Sequence, residues 1–348
     1  MFSVYQHWDQ LTDCVVGISY PPYIYDYIKN QRVRKVFYKI AEQTEEDYQK
    51  LIGILQKFNV HVLRPDISEV IEIAKWQSKN NEEIWGPAGF MQPRDRSIMV
   101  GDKFFIEPSM YSKNIIDYVK LQGNEVIFND FVPGVTTFHG DEILMCGAYV
   151  TRVGLDLFIG SHENLPNDSK EMKIYQERLQ DLFPDFRVHA VNTQGHADGS
   201  FCPVAPGLIL SLLHMSEYEK TFPGWEVIWL ENESWGKVTE FDRLKKKNHG
   251  KWWVPGEELN DEFTDFVEQW MTKWVGYVEE SVFDVNMLII DPHNVIVNGY
   301  NRLVWDALEK RKITPHICNF RHRYFWDGGI HCITSDLNRL GTKQDWFR

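Results

Sequence analysis

Five cysteines in a chain of 348 residues, Cys14, Cys146, Cys202, Cys318 and Cys332, are an odd number, widely spread, with no C-x-x-C pair. Such scarcity argues against a disulfide framework or a cysteine-rich zinc site and leaves reduced thiols as the expected state. Basic residues are also in deficit: 37 Lys and Arg face 50 Asp and Glu, a formal net charge of −13. A nucleic-acid backbone is therefore not an expected partner, since binding phosphates needs a basic face. The balance suits a cationic small substrate, although acidity more often gives only a solvated surface. No apolar run approaches the roughly 18 residues that span a bilayer. The start of the chain, Met1 to Asp9, shows no basic stretch followed by an apolar one. The expectation is a folded cytoplasmic protein without a membrane partner, and the ordinary 43% hydrophobic and 25% charged shares speak against disorder.

What is present is a repeated order of elements. Five times a β-rich segment leads to a helical pattern and then to another short strand. The first unit has Cys14 to Ser19, a helix near Glu45 to Phe58, and Val60 to Leu63. The second has Ile98 to Val100, the turn Gly101-Asp102, Phe104 to Ile106, a helix near Ser112 to Leu121, and Glu125 to Phe128. The third runs from Tyr149 to Val153 through Leu157 to Ile159 and a helix near Ser169 to Leu182, ending at Arg187 to Val191. The fourth has Leu208 to Leu212, a short helix near Glu217, and Trp225 to Trp229. In the fifth, Met287 to Ile290 turns at Asp291-Pro292 into Val295 to Val297, before a helix near Leu303 to Lys310 and His316 to Cys318.

A unit that cannot bury its apolar face alone is stabilised by its neighbours, so five such units predict one closed, pseudo-symmetric α/β array of a single domain, 1–348. A doubly wound sheet competes, but the two turns imply hairpins, which that fold mostly lacks. An insertion at about 232–280 separates units four and five, with Lys245-Lys246-Lys247 and Trp235, Trp252, Trp253, Trp270 and Trp274. From Glu258 to Glu280, Phe263, Phe266, Val267, Trp270 and Trp274 recur at helical spacing, as a core-packing amphipathic helix would have them.

Polar pieces recur at the entries to successive β segments: Pro93-Arg94-Asp95, Cys146-Gly147-Ala148-Tyr149, His196-Ala197-Asp198, Asp284-Val285-Asn286 and Gly328-Gly329-Ile330-His331-Cys332. In a closed array these entries converge on the axis. Cys332 follows a glycine pair, where backbone can approach a substrate closely, and is a candidate nucleophile in its thiolate form. A buried, inert cysteine is the competing reading. The set suits attack on a delocalised cation. Asp95 and Asp198 can grip a guanidinium in bidentate fashion and present its carbon to the thiolate. His196 can protonate the departing nitrogen and then take a proton from the incoming nucleophile. Zinc is the rival for mixed Cys, His and Asp, but no two of them lie at helical or finger spacing, so neither metal nor cofactor is expected.

His7-Trp8-Asp9, Arg64-Pro65-Asp66, Pro93-Arg94-Asp95, Glu107-Pro108, Phe186-Arg187-Val188-His189, His196-Ala197-Asp198, Pro206-Gly207 and Gly328-Gly329-Ile330-His331-Cys332 occur here in that order. In this the chain resembles the amidinotransferases along nearly its whole length, least in the tryptophan-rich insertion. The resemblance implies the five-bladed α/β propeller of the guanidino-group-modifying superfamily. It also implies amidino transfer through an amidino-cysteine on Cys332, with His196 as acid and base and Asp95 and Asp198 as guanidinium ligands. Arg94, Gly195, Asp284, Asn286 and Gly329 join the expected substrate-binding set. Small molecules, a guanidino donor and an amine acceptor, are the implied partners, and a homodimer is allowed.

Three positions depart from the family. Cys146 stands where these enzymes carry the acid that orients the histidine, so either Asp141 or Glu142 substitutes for it or the relay is weakened. Met215 replaces the arginine that binds the donor's α-carboxylate, leaving Arg321 or Arg323 to compensate and the usual arginine donor unassigned. Gly195 replaces a bulky methionine, which leaves room for a different acceptor. Two other outcomes remain: a hydrolase of the deiminase or dihydrolase kind, and a catalytically silent homologue that binds a guanidino ligand or a partner.

Overall fold

Short β-branched and aromatic runs joined by tight turns fold into five three-stranded sheets. The computed structural model describes residues 1–69, 88–106, 112–128, 146–161, 170–193, 196–212, 218–230, 253–270 and 282–347. Blade one holds β1 (Gln10–Val16), β2 (His61–Leu63) and β15 (Thr334–Leu340). Blade two holds β3 (Ser97–Val100), β4 (Lys103–Ile106) and β5 (Glu125–Phe128), and blade three β6 (Val150–Val153), β7 (Asp156–Ser161) and β8 (Arg187–Asn192). Blade four is β9 (Phe201–Ala205), β10 (Leu208–Ser211) and β11 (Glu226–Trp229), and blade five β12 (Leu288–Asp291), β13 (Asn294–Val297) and β14 (Thr314–Ile317). The chain is thus the expected five-bladed α/β propeller.

In every blade the central strand pairs antiparallel on one side and parallel on the other. Tight turns close the antiparallel pairs of blades two to four, each with a left-handed glycine: Gly101 at φ 57°, Gly154 at 67° and Gly207 at 78°. Parallel pairs need a crossover. Helices α1 (Gln31–Lys57), α2 (Lys113–Leu121), α3 (Lys170–Leu182) and α5 (Arg302–Lys310) supply four, and the short helix Tyr218–Thr221 the other. No helix among the described residues is long and apolar enough to cross a membrane.

Three elements differ from expectation, the first being β9 (Phe201–Ala205), a strand that the fourth unit was not expected to have and that pairs antiparallel with β10. Helix α1 begins well before Glu45, because the Asn30 side chain accepts hydrogen bonds from the N–H groups of Arg32 and Val33 at 2.9 and 3.3 Å and starts the helix there. Its buried stripe of Val33, Phe37, Ile40, Tyr48, Leu51 and Leu55 runs from end to end. The antiparallel partner of β1 is β15, from the far end of the chain, with Gln10 opposite Leu340 and Val16 opposite Thr334. Strand β15 escapes periodicity because its polar residues Thr334, Ser335, Asp336 and Arg339 are buried alongside Leu337. Within the insertion, α4 (Asp261–Trp270) sets Phe263 against Phe37 and Phe325, with ring centroids 5.6 and 6.0 Å apart. That is the expected core packing. Trp235, Trp252, Trp274 and the lysine run lie outside the described residues.

Asp336 explains the buried polarity of β15. Its carboxylate meets Arg94 Nη1 at 2.6 Å, Arg152 Nη2 at 2.8 and 2.9 Å, and Arg339 Nε at 2.8 Å. All four side chains are at most 1% exposed. Further guanidinium bonds reach the carbonyls of Met99, Thr334, Asp9 and Ile289, which ties blades one, two, three and five together. Burial alone would raise the Asp336 pKa, but the charges of Arg152, Arg94 and Arg339 outweigh it and hold the carboxyl well below the usual range.

Asp336→Asn strands three buried guanidinium groups and is expected to cost about 3–5 kcal/mol of unfolding free energy in urea titrations. A carboxyl with a depressed folded pKa stabilises above its unfolded value and loses that contribution as pH falls. The deficit of the variant should therefore be full at neutral pH and shrink below about pH 3.9. A deficit that stays constant into strong acid would show that the charge is not its source.

Candidate active site

Each of four blades enters its first strand, and blade one its strand β15, through a short helical or glycine turn, and the polar pieces noted in the sequence sit there. Asp95 lies in the one-turn helix Pro93–Arg96 ahead of β3, where Pro93 fits the first helical position. Cys146 and His196 precede the turns Gly147–Tyr149 and Ala197–Gly199, and Asp198 lies within the second. Asn286 follows Val282–Val285 ahead of β12, and Cys332 leads into β15. Neighbouring turns pack on one another, so residues far apart in sequence share one end of the axis.

Cys332 is held by Asn286. The Asn286 Oδ1 accepts the N–H groups of His331 at 2.9 Å and Cys332 at 3.2 Å, while its Nδ2 donates to Cys332 Sγ at 3.0 Å and to the Asp198 carbonyl at 3.2 Å. This clamp explains the glycine pair and corrects its expected use. A Cβ on Gly329 would stand 2.5 Å from Asn286 Oδ1, and one on Gly328 would stand 2.5 Å from Gln92 Nε2. The space left by the missing side chains is taken by protein groups rather than kept for substrate.

Asp198 is the acidic centre of the cluster. Its Oδ2 accepts the Nδ1–H of His331 at 2.8 Å and lies 3.5 Å from Cys332 Sγ. Burial pushes its pKa up, but the hydrogen bond and charge of His331, then His196 and Arg94, bring it below the usual carboxylate value. Asp95 differs: burial first, with Asp198 adding, raises its pKa despite His196 and the nearby arginines. Each of the two has a buried Oδ1 with no hydrogen-bond partner among the described residues. Burial, then the charges of Asp198 and Asp95, pushes the Cys332 thiol well above its ordinary pKa. The free protein therefore holds a neutral thiol beside two carboxyl groups.

His196 is half-exposed. Its Nδ1 is 4.0 Å from Asp95 Oδ1, and the Tyr149 ring meets its imidazole edge-on at 4.8 Å between centroids. Cys146 joins them: one donor atom each from Asp95, Cys146 and His196 lies within 4.8 Å of the others. The Cys146 thiol is neutral too, raised by burial and then by Asp95.

Several expected residues are employed elsewhere. Arg94 is buried against Asp336 and does not face a substrate, because its guanidinium points beneath the site. Asp284 Oδ2 accepts from the side chain of Asn301, which caps α5, so the carboxyl ties the blade-five entry to its helix. Arg321 is spent on Asp47, Glu46 and the Gln43 carbonyl of α1. Arg323 donates to Asn319 and Phe320 and lies over the Tyr324 ring. Neither arginine is free to compensate at the site. Asp141, Glu142, Gly195 and Met215 fall outside the described residues. His331, Tyr149 and Gln92 carry contacts that sequence reasoning did not assign, and the one signal for His331 was its place beside the cysteine.

No family model matches this chain. It is similar to the mitochondrial glycine amidinotransferase of Xenopus laevis, 23% identical over 400 residues that cover 99% of this chain and 84% of that protein. It is 21% identical to inosamine-phosphate amidinotransferase 1 of Streptomyces griseus over 388 residues, covering 100% of this chain and 99% of the relative. Among solved structures, SxtG, an amidinotransferase from Microseira wollei in saxitoxin biosynthesis, superposes with a TM-score of 0.65 at 19% identity, covering 99% of both chains. A dimethylarginine dimethylaminohydrolase adduct shares the fold at a TM-score of 0.52 and 12% identity, covering 94% of this chain and 100% of its own.

Removing the charge of Asp198 should favour the thiolate. Asp198→Asn is expected to move the pH profile of Cys332 alkylation by iodoacetamide downward by about one unit or more. An unmoved profile would mean that the charge of Asp198 does not set the thiol.

Proposed function

We propose that this chain, which is similar to amidinotransferases along its whole length, moves an amidino group from a guanidino donor to an amine acceptor through a covalent amidino-cysteine on Cys332. The observation that carries this reading is the pair of buried Oδ1 atoms of Asp95 and Asp198, neither with a hydrogen bond among the described residues, close to the Cys332 thiol. Two such carboxylates demand a cation, and a planar guanidinium can give one N–H edge to each. Its positive charge would offset the two negative charges that raise the thiol pKa, so the substrate helps to generate its own nucleophile. The scheme places activation at binding.

The thiol proton then passes to His196 and the sulfur attacks the guanidinium carbon, forming a C–S bond. His196 returns that proton to the departing nitrogen as the C–N bond breaks, leaving an amidino group on sulfur. An acceptor amine adds to the same carbon, loses a proton to His196 and displaces the thiolate. Half-exposure of His196 suits exchange of one amine for another. Asp95 is the carboxylate that pairs with this ring among the described residues, and it takes the orienting part that the neutral Cys146 thiol cannot. The reading sets the reaction in the cytoplasm, supported by cysteines that are all unpaired.

Incubation with arginine and related guanidines, with and without amines, tests the reading by mass spectrometry of protein and products. Cys332 should gain an amidino group, an amine should remove it, and Cys332→Ala should lose the adduct and about four orders of magnitude or more of turnover. A ureido product or released ammonia would assign the chain to hydrolysis instead. Absence of any adduct would falsify the covalent route.

A further inference from the structure

Blades two, three and four each place one metal-capable donor at the same point of the repeat, just ahead of the first strand. These are Asp95, Cys146 and His196, and their donor atoms all lie within 4.8 Å of one another. In tetrahedral zinc sites, bonds of about 2.0–2.3 Å set ligands somewhat closer than that, within reach of side-chain rotation. One thiolate, one imidazole and one carboxylate form a borderline-soft set, with a fourth position left for water. The buried Asp95 Oδ1 has no hydrogen-bond partner among the described residues, and the Tyr149 ring packs edge-on against His196. Spacing rules for fingers and helices are blind to such a set, because its members come from three blades.

We propose that Asp95, Cys146 and His196 bind a divalent cation of zinc-like preference, and that this ion inhibits the site by taking the place of the guanidinium. Binding forms the sulfur–metal bond as the Cys146 S–H bond breaks, and the proton goes to solvent. The ion occupies one of the two carboxylates that a guanidinium needs and removes His196 from proton transfer. This second part rests on the proposed amidino chemistry, whereas the binding itself does not. A carboxylate at position 146 would give an all-oxygen-and-nitrogen set; the thiol is what turns the preference toward softer ions.

Cobalt(II) added to the metal-free full-length protein tests binding without any turnover. The expected result is one ion per chain with a thiolate-to-cobalt charge-transfer absorption, displaced by zinc. That absorption should persist in Cys332→Ser and vanish in both Cys146→Ser and Cys146→Asp, the second variant still binding one cobalt ion through oxygen and so showing that the site is folded. Zinc should also raise the apparent KM for the guanidino donor, reversibly with a chelator, and at least tenfold less effectively in Cys146→Ser. An absorption that survives in Cys146→Ser but disappears in Cys332→Ser would assign the ion to the nucleophile and overturn the proposal. So would the absence of stoichiometric binding. Either failure leaves adduct formation on Cys332 untouched, and failure of the adduct leaves the cobalt result untouched.

Discussion

A single buried carboxylate and the arginines around it tie four of the five blades of this propeller together. Asp336 lies under three guanidinium groups, from the entry to blade two, from β6 of blade three and from its own strand β15. A buried charge without partners would cost more than the fold can tolerate, so these arginines and this aspartate must meet. Meeting requires β15 to close blade one, Arg152 to extend from β6, and the turn before β3 to sit against the axis. Closure of the ring and satisfaction of the charge are thus the same event.

The active site is built on that knot. Arg94 neighbours Asp95 in sequence, and Asp336 follows Cys332 by four residues, so these two residues of the knot each carry a site residue with them. Three arginines against one aspartate leave positive charge beneath the cluster, and Arg94 helps to keep Asp198 ionised. The same charge, after burial, lowers the pKa of His331, although the hydrogen bond of its Nδ1 with Asp198 at 2.8 Å opposes that shift. Two carboxyl groups beside a buried thiol are tolerated only with such support. Their environments push them apart, Asp95 upward and Asp198 downward.

Asn286 links this electrostatic base to the nucleophile. One amide group spans the His331 and Cys332 N–H groups, the Cys332 sulfur and the Asp198 carbonyl, and so sets blade five against blades one and four. It can approach only because Gly329 has no side chain. The glycine pair was informative as a sign of crowding. Its meaning depended on knowing what fills the space.

The five units, two of their hairpin turns and the polar entries to their strands were legible in the sequence, because periodicity and turn chemistry are local properties of the chain. Cys332, His196, Asp95 and Asp198 stood out by their place in that repeat, a regularity that survives without coordinates. The partner of β1 was not legible, because β15 buries polar residues whose reason is a charge network drawn from three other parts of the chain. Nor were the duties of Arg94, Asp284, Arg321 and Arg323, since a charged residue looks alike whether it faces a ligand, a cap or a buried carboxylate. Local pattern determined which elements form and which residues can react. Tertiary structure alone decided what each polar group faces, because a hydrogen bond or ion pair is set by distance in space and not by separation along the chain.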